Sequence, residues 1–485
     1  MIDRSELIIN GELVAARSGR TFDNGNPATE ELLGVAADAG PADLDAAVTA
    51  ARHRFDRGSW STDPALRAHC LRQLQTALQA RIEQVREVLI AETGCTLSLS
   101  RLMQVEPVIA DIGYVADLAE SYAYEQALPD TTTLMGPASR VVRREPVGVV
   151  GAITPWNFPL MLNLVKVTGA LAAGNTVVLK PAPDTPWTAA LLGQIALEDT
   201  DLPPGVLNVV TSADHGIGAQ LTAHRDVDLI TFTGSTATGR AVMASAAGTV
   251  KRTFLELGGK SASIVLDDAD LGAVVGLAAS HICFHAGQGC ALATRILVPR
   301  SRYTEAVDAA EAAVRAFPYG DPMDPANMMG PLISDRQRTR VLDYINVGRS
   351  EAKLVCGGER SPRHDRGFYV EPTLFVDVDP DARIAQEEIF GPVVTVLPFD
   401  DDDDAVAIAN NSIYGLSGVV SSGSVERAMA VARRLRTGTV AVNNAHWLAP
   451  DSPFGGYKQS GLGRENGIPG FESFLEIKTI GYPPA

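Results

Sequence analysis

The chain has 485 residues, of which 46% are hydrophobic, and a formal net charge of −17 from 58 acidic against 41 basic residues. This is the composition of a globular protein of about two to four domains, and it excludes collagen-like and disordered chains. The negative charge argues against nucleic acid and anionic membranes as partners. Five cysteines, an odd number, cannot form a disulfide framework and indicate a reducing compartment.

The first residues lack the basic and apolar regions of a signal peptide. No apolar run approaches the ~18 residues that a membrane span requires. We therefore predict a cytoplasmic protein with no membrane partner.

The first part of the chain is predicted to be mainly helical after a short start that is rich in strands. Apolar residues at helical spacing predict helices over residues 43–55, 65–93 and 103–124. Alternation over residues 140–143 indicates a strand. From residue 146 onward, short apolar strands alternate with helices, which is typical of a parallel α/β sheet. The strands are predicted at 147–153, 175–179, 207–210 and 229–232, and helices at 159–173 and 185–198.

The same alternation restarts after residue 260. Strands are predicted at 263–266, 296–298, 353–356, 393–399 and 439–442, helices at 303–317, 335–350, 405–410 and 425–435, and a last strand at 471–480. Two successive α/β units predict two sheets that face a cleft, which is a common place for a ligand. The acidic run 400–404 is interpreted as a solvated loop before a helix, because consecutive carboxylates point apart. No metal site is predicted.

A cysteine with small neighbours is the first candidate for chemistry. Glycines on both sides of Gln288 leave Cys290 unshielded, and nearby backbone N–H groups could stabilise its thiolate or an oxyanion. The other four cysteines are interpreted as small buried hydrophobic residues.

Two further side chains could act together with a cysteine nucleophile. Glu256 lies in an apolar stretch before two glycines, where burial would raise its pKa and suit a general base, although a buried glutamate bonded to backbone amides is the alternative. Asn157 lies between Pro155 and Pro159 after a buried strand, and its amide could donate to an oxyanion. From this motif alone, a helix-capping asparagine with Pro159 at the first helical position is the better interpretation.

Seven short motifs occur together along the chain, at residues 155–159, 180–183, 232–235, 255–260, 287–290, 387–392 and 452–458. This ordered set resembles the aldehyde dehydrogenase superfamily, whose members oxidise aldehydes with NAD or NADP, and the resemblance covers essentially the whole chain. It implies an α/β fold with two Rossmann-like parallel α/β domains and a small β oligomerisation element. The expected boundaries are 1–124 and 147–258 for the cofactor-binding domain, 259–459 for the catalytic domain, and 125–146 and 460–485 for the oligomerisation element.

The resemblance assigns the chemistry residue by residue. Cys290 would attack the aldehyde and form a thiohemiacetal, whose oxyanion the Asn157 amide and the Cys290 N–H would hold. Loss of hydride to the nicotinamide would leave a thioester, and Glu256 would activate the water that hydrolyses it. Lys166 and Glu465 would support this site near a proton-exit path, with a surface salt bridge as the alternative.

The same resemblance implies a cofactor site. Lys180 would reach a ribose hydroxyl, Gly234 and Ser235 would bind the pyrophosphate, and Glu388 and Phe390 would contact the nicotinamide ribose. The main chain at Ile153, Trp156 and Leu257 would complete it. Pro183 stands where many NAD-preferring members carry Glu, so either NAD or NADP is expected, with NAD slightly favoured.

A substrate tunnel is implied by alignment at Phe158, Leu162, Val165, Gly289, Ala291, His446, Trp447 and Leu448. None of these is an arginine, which argues against a short dicarboxylic semialdehyde and favours an apolar or aromatic aldehyde. The tail strand 471–480 resembles the family's oligomerisation strand, so a homodimer or homotetramer is expected.

Three other functions are compatible with parts of this pattern. A CoA-acylating semialdehyde dehydrogenase is disfavoured by Glu256, since that type generally lacks this base. A thioesterase or esterase using Cys290 and Glu256 is disfavoured by the intact set Lys180, Glu388 and Phe390. A structural or binding protein on a retired dehydrogenase fold is disfavoured because Cys290, Glu256 and Asn157 are retained together.

Overall fold

A computed structural model describes residues 5–484. Its strands, in chain order, are β1 (Glu6–Ile9), β2 (Glu12–Ala15), β3 (Thr21–Gly25), β4 (Leu32–Ala37), β5 (Glu125–Thr133), β6 (Gly136–Pro146), β7 (Val149–Ile153), β8 (Thr176–Lys180), β9 (Leu207–Val209), β10 (Leu229–Gly234), β11 (Arg252–Leu257), β12 (Ala262–Val265), β13 (Arg295–Pro299), β14 (Lys353–Cys356), β15 (Thr373–Val376), β16 (Val393–Phe399), β17 (Gly418–Ser421), β18 (Ala441–Val442), β19 (Gly461–Leu462) and β20 (Leu475–Tyr482). Its α-helices are α1 (Pro41–Asp56), α2 (Pro64–Ala80), α3 (Ile82–Thr93), α4 (Leu97–Leu99), α5 (Glu106–Ala110), α6 (Ile112–Ser121), α7 (Pro159–Ala172), α8 (Pro186–Asp199), α9 (His215–Ala223), α10 (Thr236–Ala246), α11 (Leu271–Cys283), α12 (Tyr303–Ala316), α13 (Asp335–Glu351), α14 (Arg383–Gln386), α15 (Asp402–Asn410), α16 (Val425–Ala432) and α17 (Gly467–Glu472).

The first sheet has eight strands in the order β19-β11-β10-β7-β8-β9-β1-β2. Strands β11, β10, β7, β8 and β9 are parallel, and antiparallel strands extend both edges. In the register, Ile153 pairs with Lys180, and Gly234 pairs with Leu257. Four carboxyl-terminal strand ends therefore meet at one edge of this sheet.

The second sheet has the order β14-β15-β16-β13-β12-β17-β18, with only β14 antiparallel. Both of these sheets are buried on both faces. Successive residues of a strand point to opposite faces of the sheet, and Val177 and Val178 of β8 belong to two different apolar clusters, as do Ile264 and Val265 of β12. Helices cover these faces, which confirms the predicted α/β fold.

A third, antiparallel sheet has the order β20-β6-β5 and leaves β20 at its edge. Beyond Leu475, which is buried, every residue of β20 is exposed, including Ile477 at 68% and Ile480 at 41%. A two-stranded ribbon, β3-β4, completes the strands that the structure describes. Among residues 5–484, no helix combines the length and the apolar character needed to cross a membrane.

Some predicted elements differ in extent from those in the structure. The predicted helix 65–93 is two helices that part at Arg81, whose φ/ψ of −107°/22° is not helical. The predicted helix 103–124 begins in a π-helical turn at Ser100–Gln104, is interrupted at Val105, whose φ/ψ of −123°/−70° is not helical, and ends at Ser121. The predicted strand 471–480 begins only at Leu475, because residues 467–472 form α17. Phe471 and Phe474 are three residues apart and both buried, which is a helical spacing.

Candidate active site

Cys290 lies in the irregular segment between the helical turn Phe284–Gly287 and β13, and its side chain is half-buried. Burial, and then the nearby Glu256 carboxyl, raise the pKa of its thiol well above the usual value. A Cβ on Gly259, two residues after β11, would lie 2.5 Å from the Cys290 carbonyl oxygen. Only glycine therefore allows the first sheet to approach the cysteine so closely.

Glu256 is the penultimate residue of β11 and is fully buried. Neither of its carboxylate oxygens has a hydrogen-bond partner among the described residues, so the alternative of a structural glutamate held by backbone amides is wrong. Burial, followed by repulsion from Glu465, raises the pKa of Glu256 to about 8, while Lys166 and Cys290 act in the opposite direction. A buried, unbonded carboxyl with such a pKa can exchange a proton near neutral pH.

Asn157 follows β7 and is 3% exposed. Its side-chain Nδ2 donates to the carbonyl oxygen of Gln288, two residues before Cys290, at 2.9 Å. The capping residue of α7 is Phe158, and no side chain caps this helix, so the helix-capping interpretation of Asn157 is wrong. The amide carries a second hydrogen that can serve another acceptor.

Lys166 and Glu465 form a buried pair, with Lys166 Nζ donating to Glu465 Oε1 at 2.6 Å. The same ammonium donates to the Thr231 hydroxyl at 3.1 Å and lies 5.0 Å from the centre of the Phe254 ring. The alternative of a surface salt bridge is therefore wrong. The charges of both residues act on Glu256.

The carboxyl edge of the first sheet collects Ile153, Lys180, Gly234 and Leu257 at neighbouring strand ends. Ser235 caps α10 by accepting a hydrogen bond from the Thr238 amide at 3.2 Å. Strand ends followed by a helix N-terminus are a common site for the phosphates of a dinucleotide.

Lys180 is buried, and its Nζ donates to the Pro181 carbonyl at 3.0 Å. Burial lowers the pKa of Lys180 to about 8, and the charges of Asp214, Asp184 and Asp38 oppose this shift. Pro183 lines a cleft together with Asp184 and residues of β3 and α13.

Glu388 and Phe390 lie in the segment between α14 and β16, before the second sheet's strand β16. Glu388 Oε1 accepts from the Gly259 amide at 3.0 Å, and a Cβ on Gly258 would lie 2.3 Å from its other oxygen. Burial raises the pKa of Glu388 to about 7. The Phe390 ring meets the Trp156 ring edge-on at 5.3 Å. These contacts bring the predicted cofactor residues of both sheets together.

An apolar cavity of about 230 Å³ lies between α5, α6, α7 and residues 446–450. Of the predicted tunnel residues, it is lined by Val165, His446 and Leu448, and it reaches Lys166 and Glu465. The other five do not line it, namely Phe158, Leu162, Gly289, Ala291 and Trp447. The Phe158 ring packs on His285 at 5.1 Å, and the Trp447 ring stacks on Phe454 at 5.3 Å.

Several residues of this region were not identified in the sequence. Met103 lines the cavity from the π-helical turn, Val108, Tyr114 and Met161 line it from α5, α6 and α7, and Asp111 lines it between α5 and α6. The apolar periodicity of the other four is the only signal they carry, and it is the same for a residue that packs in a core. Gln288 was noted only as a neighbour of Cys290, yet its buried amide donates to the His285 carbonyl at 3.0 Å and accepts from the Ile333 amide at 2.9 Å.

Comparisons with known proteins find the same family along nearly the full length of the chain. The sequence model of the aldehyde dehydrogenase family matches residues 13–480. Geranial dehydrogenase from Castellaniella defragrans is 42% identical over 482 residues, and 3-succinoylsemialdehyde-pyridine dehydrogenase from a Pseudomonas species is 44% identical over 484, each alignment covering 99% of both chains. The crystal structure of Mycobacterium tuberculosis aldehyde dehydrogenase complexed with NAD⁺ superposes with a TM-score of 0.94 at 44% identity, covering 99% of this chain and 98% of that one.

Proposed function

Since the chain belongs to the aldehyde dehydrogenase family, we propose that it oxidises an apolar or aromatic aldehyde to the carboxylic acid with NAD⁺ or NADP⁺, through a thioester on Cys290. The observation that carries this proposal is the Glu256 carboxyl, which is fully buried, accepts no backbone hydrogen bond among the described residues and interacts with the Cys290 thiol.

The residues at the sheet edge fit a nicotinamide dinucleotide. The N-terminus of α10 offers free backbone N–H groups to a pyrophosphate, Lys180 supplies a donor, and the Glu388 carboxylate can accept from ribose hydroxyls. When bound, the dinucleotide accepts the hydride. The solved relative from M. tuberculosis holds NAD⁺, which supports the same coenzyme here.

The chain's own residues account for the remaining steps. As the Cys290 sulfur bonds to the aldehyde carbon, the thiol proton passes to the ionised Glu256, and the Asn157 amide and the Cys290 N–H donate to the carbonyl oxygen that becomes negative. After the hydride has left, Glu256 releases that proton to solvent and takes another from water as the water oxygen attacks the thioester carbon. The carbon–sulfur bond then breaks and releases the acid, and Glu256 returns its proton to the sulfur, so that the thiol is restored.

The cavity supports the substrate class. Its volume of about 230 Å³ is below the ~300–1,000 Å³ of common ligand pockets, and its lining is mostly apolar, which suits a compact apolar aldehyde. Two relatives are named for the aldehydes geranial and 3-succinoylsemialdehyde-pyridine.

The assembly and location of the chain are also part of the proposal. The exposed isoleucines of β20, at a sheet edge, favour pairing with a second copy in a homodimer or homotetramer. All five cysteines are free, which favours the reducing cytoplasm.

The test is a panel of aliphatic and aromatic aldehydes, each assayed with NAD⁺ and NADP⁺. We expect coenzyme reduction with at least one apolar aldehyde, and its loss in Cys290→Ala but not in the control Cys356→Ala, which removes another cysteine that lies on β14. Glu256→Gln should give one burst of reduced coenzyme and then slow turnover. Activity that survives in Cys290→Ala, or steady turnover in Glu256→Gln, would contradict the proposed roles.

A further inference from the structure

Three consecutive residues before the nucleophile have left-handed backbone conformations. The φ angles are 50° at His285, 52° at Ala286 and 72° at Gly287. Non-glycine residues rarely adopt this conformation, although histidine does so more readily than most. A Cβ on Gly287 would lie 1.9 Å from the Gly391 carbonyl oxygen, so this turn is packed directly against the segment that carries Phe390.

This turn directs the His285 ring toward the first sheet. The ring is 4% exposed, and its Nε2 lies 2.5 Å from the main-chain carbonyl oxygen of Asn157. Burial lowers the pKa of His285 to about 4, so the ring is neutral at physiological pH. Because a carbonyl oxygen can only accept, the single ring N–H must be on Nε2. The ring also packs on Phe158.

Asn157 is therefore held at two points by the same loop. Its carbonyl oxygen accepts from His285, and its Nδ2 donates to the carbonyl of Gln288, three residues further along. These two bonds fix the main chain and the side-chain amide of Asn157 relative to Cys290. One amide hydrogen remains to be directed at a substrate oxygen.

We propose that His285 is a positioning residue, which holds Asn157 against the nucleophile loop so that its free amide hydrogen points at the oxyanion formed on Cys290. This inference rests on the proposed function. A positioned oxyanion donor acts on the transition state and little on ground-state binding. His285 should therefore affect kcat far more than coenzyme affinity or the reactivity of the thiol itself.

The test compares three variants with a distant control. In His285→Gln, the side chain places an amide nitrogen near the position of the imidazole Nε2. In His285→Asn, the side chain is one methylene shorter, but asparagine adopts the left-handed conformation as readily as histidine does. We expect His285→Ala and His285→Asn to lower kcat about 10- to 100-fold, and His285→Gln to stay within about threefold of the parent. His53→Ala, which changes an exposed histidine on α1, should have no effect.

A second readout separates positioning from general damage. Alkylation of Cys290 by iodoacetamide needs no oxyanion, so its rate should change less than about twofold in His285→Ala while kcat falls. The proposal is overturned if His285→Ala keeps its kcat, if alkylation slows as much as turnover does, or if the Gln variant is no faster than the Asn variant. Loss of folding in all three variants would also overturn it. The proposed aldehyde oxidation, in contrast, fails if the parent protein reduces no coenzyme with any aldehyde.

Discussion

Lys166 Nζ and Glu465 Oε1 lie 2.6 Å apart, and both side chains are almost entirely buried. The two residues are separated by 299 positions in the chain, and both act on the pKa of Glu256, in opposite directions. The pair therefore sets the electrostatic surroundings of the proposed base without touching it by a hydrogen bond among the described residues.

Removing one partner of this pair should destabilise the folded protein. Lys166→Met leaves the Glu465 carboxylate buried and unpaired, which we expect to lower the free energy of unfolding by about 3–5 kcal/mol. The double variant Lys166→Met/Glu465→Leu should lose less unfolding free energy than Lys166→Met does, because it leaves no buried charge unpaired. Urea unfolding measures both, and Arg383→Met, which breaks the exposed pair with Glu387, is the control at below about 1 kcal/mol. Equal effects in Lys166→Met and the control would contradict the argument.

Glu256→Gln should make the protein more stable at alkaline pH. The folded-state pKa of Glu256 is about 8, against an ordinary value of 4.5. Its stabilising contribution is therefore complete below pH 4.5 and is lost as the pH rises toward 8. We expect the free energy of unfolding of the variant, relative to that of the parent, to rise by about 3–5 kcal/mol from pH 5 to pH 8. Denaturant unfolding at both pH values measures this difference, and a gap that does not change with pH would refute the buried ionisation.

Gly258→Ala should weaken coenzyme binding. The new Cβ would lie 2.3 Å from the Glu388 carboxylate and displace it from its bond with the Gly259 amide. We expect the dissociation constant of the reduced coenzyme, measured by its fluorescence, to rise at least about tenfold, by loss of one charge-assisted hydrogen-bond partner. Gly248→Ala is the matched control, since a Cβ there would meet nothing within 4 Å. Unchanged affinity would remove Glu388 from the coenzyme site.

Coenzyme choice should depend on the acidic surroundings of Lys180. The charges of Asp214, Asp184 and Asp38 all act on this ammonium, and they would repel the phosphate that distinguishes NADP⁺. We expect the parent to prefer NAD⁺. Asp184→Asn, which also frees Arg336 from a 3.6 Å ion pair, should raise kcat/KM for NADP⁺ relative to NAD⁺ about five- to tenfold.

The control for this prediction is Asp308→Asn, which removes an equal charge from the exposed surface of α12. A shift of the same size in both variants would attribute it to net charge alone. A parent that prefers NADP⁺ would show that these carboxylates do not govern the choice.

The free edge of β20 should determine the size of the assembly. Ile477→Glu places a charge on a residue that is 68% exposed in the single chain, and we expect it to shift the mass in light scattering toward the monomer. Leu277→Glu changes another exposed apolar residue, on α11, and should leave the mass unchanged. An Ile477→Glu protein with the mass of the parent would exclude this strand from the interface.

Much of the candidate site could be recognised from local sequence. The burial of Glu256 follows from its apolar neighbours on β11, and the strand ends at Ile153 and Lys180 follow from short apolar runs before helices. The breaks at Arg81 and Val105 could not be recognised, because the apolar periodicity continues across them. The remaining features depend on tertiary contact. The buried Lys166–Glu465 pair and the bond from His285 to Asn157 join residues far apart in the chain, and no local pattern encodes such a distance.

The outer edge of β11 is covered by β19, where Gly461 pairs with Glu256. A ribosome therefore produces the strand that bears Glu256 more than 200 residues before the strand that closes over it. Until then the nascent first sheet has an open edge, which invites pairing with other chains. We expect the proposed base Glu256 to reach its final environment only after translation of Leu462, so that this half of the protein matures late even though most of it is made early.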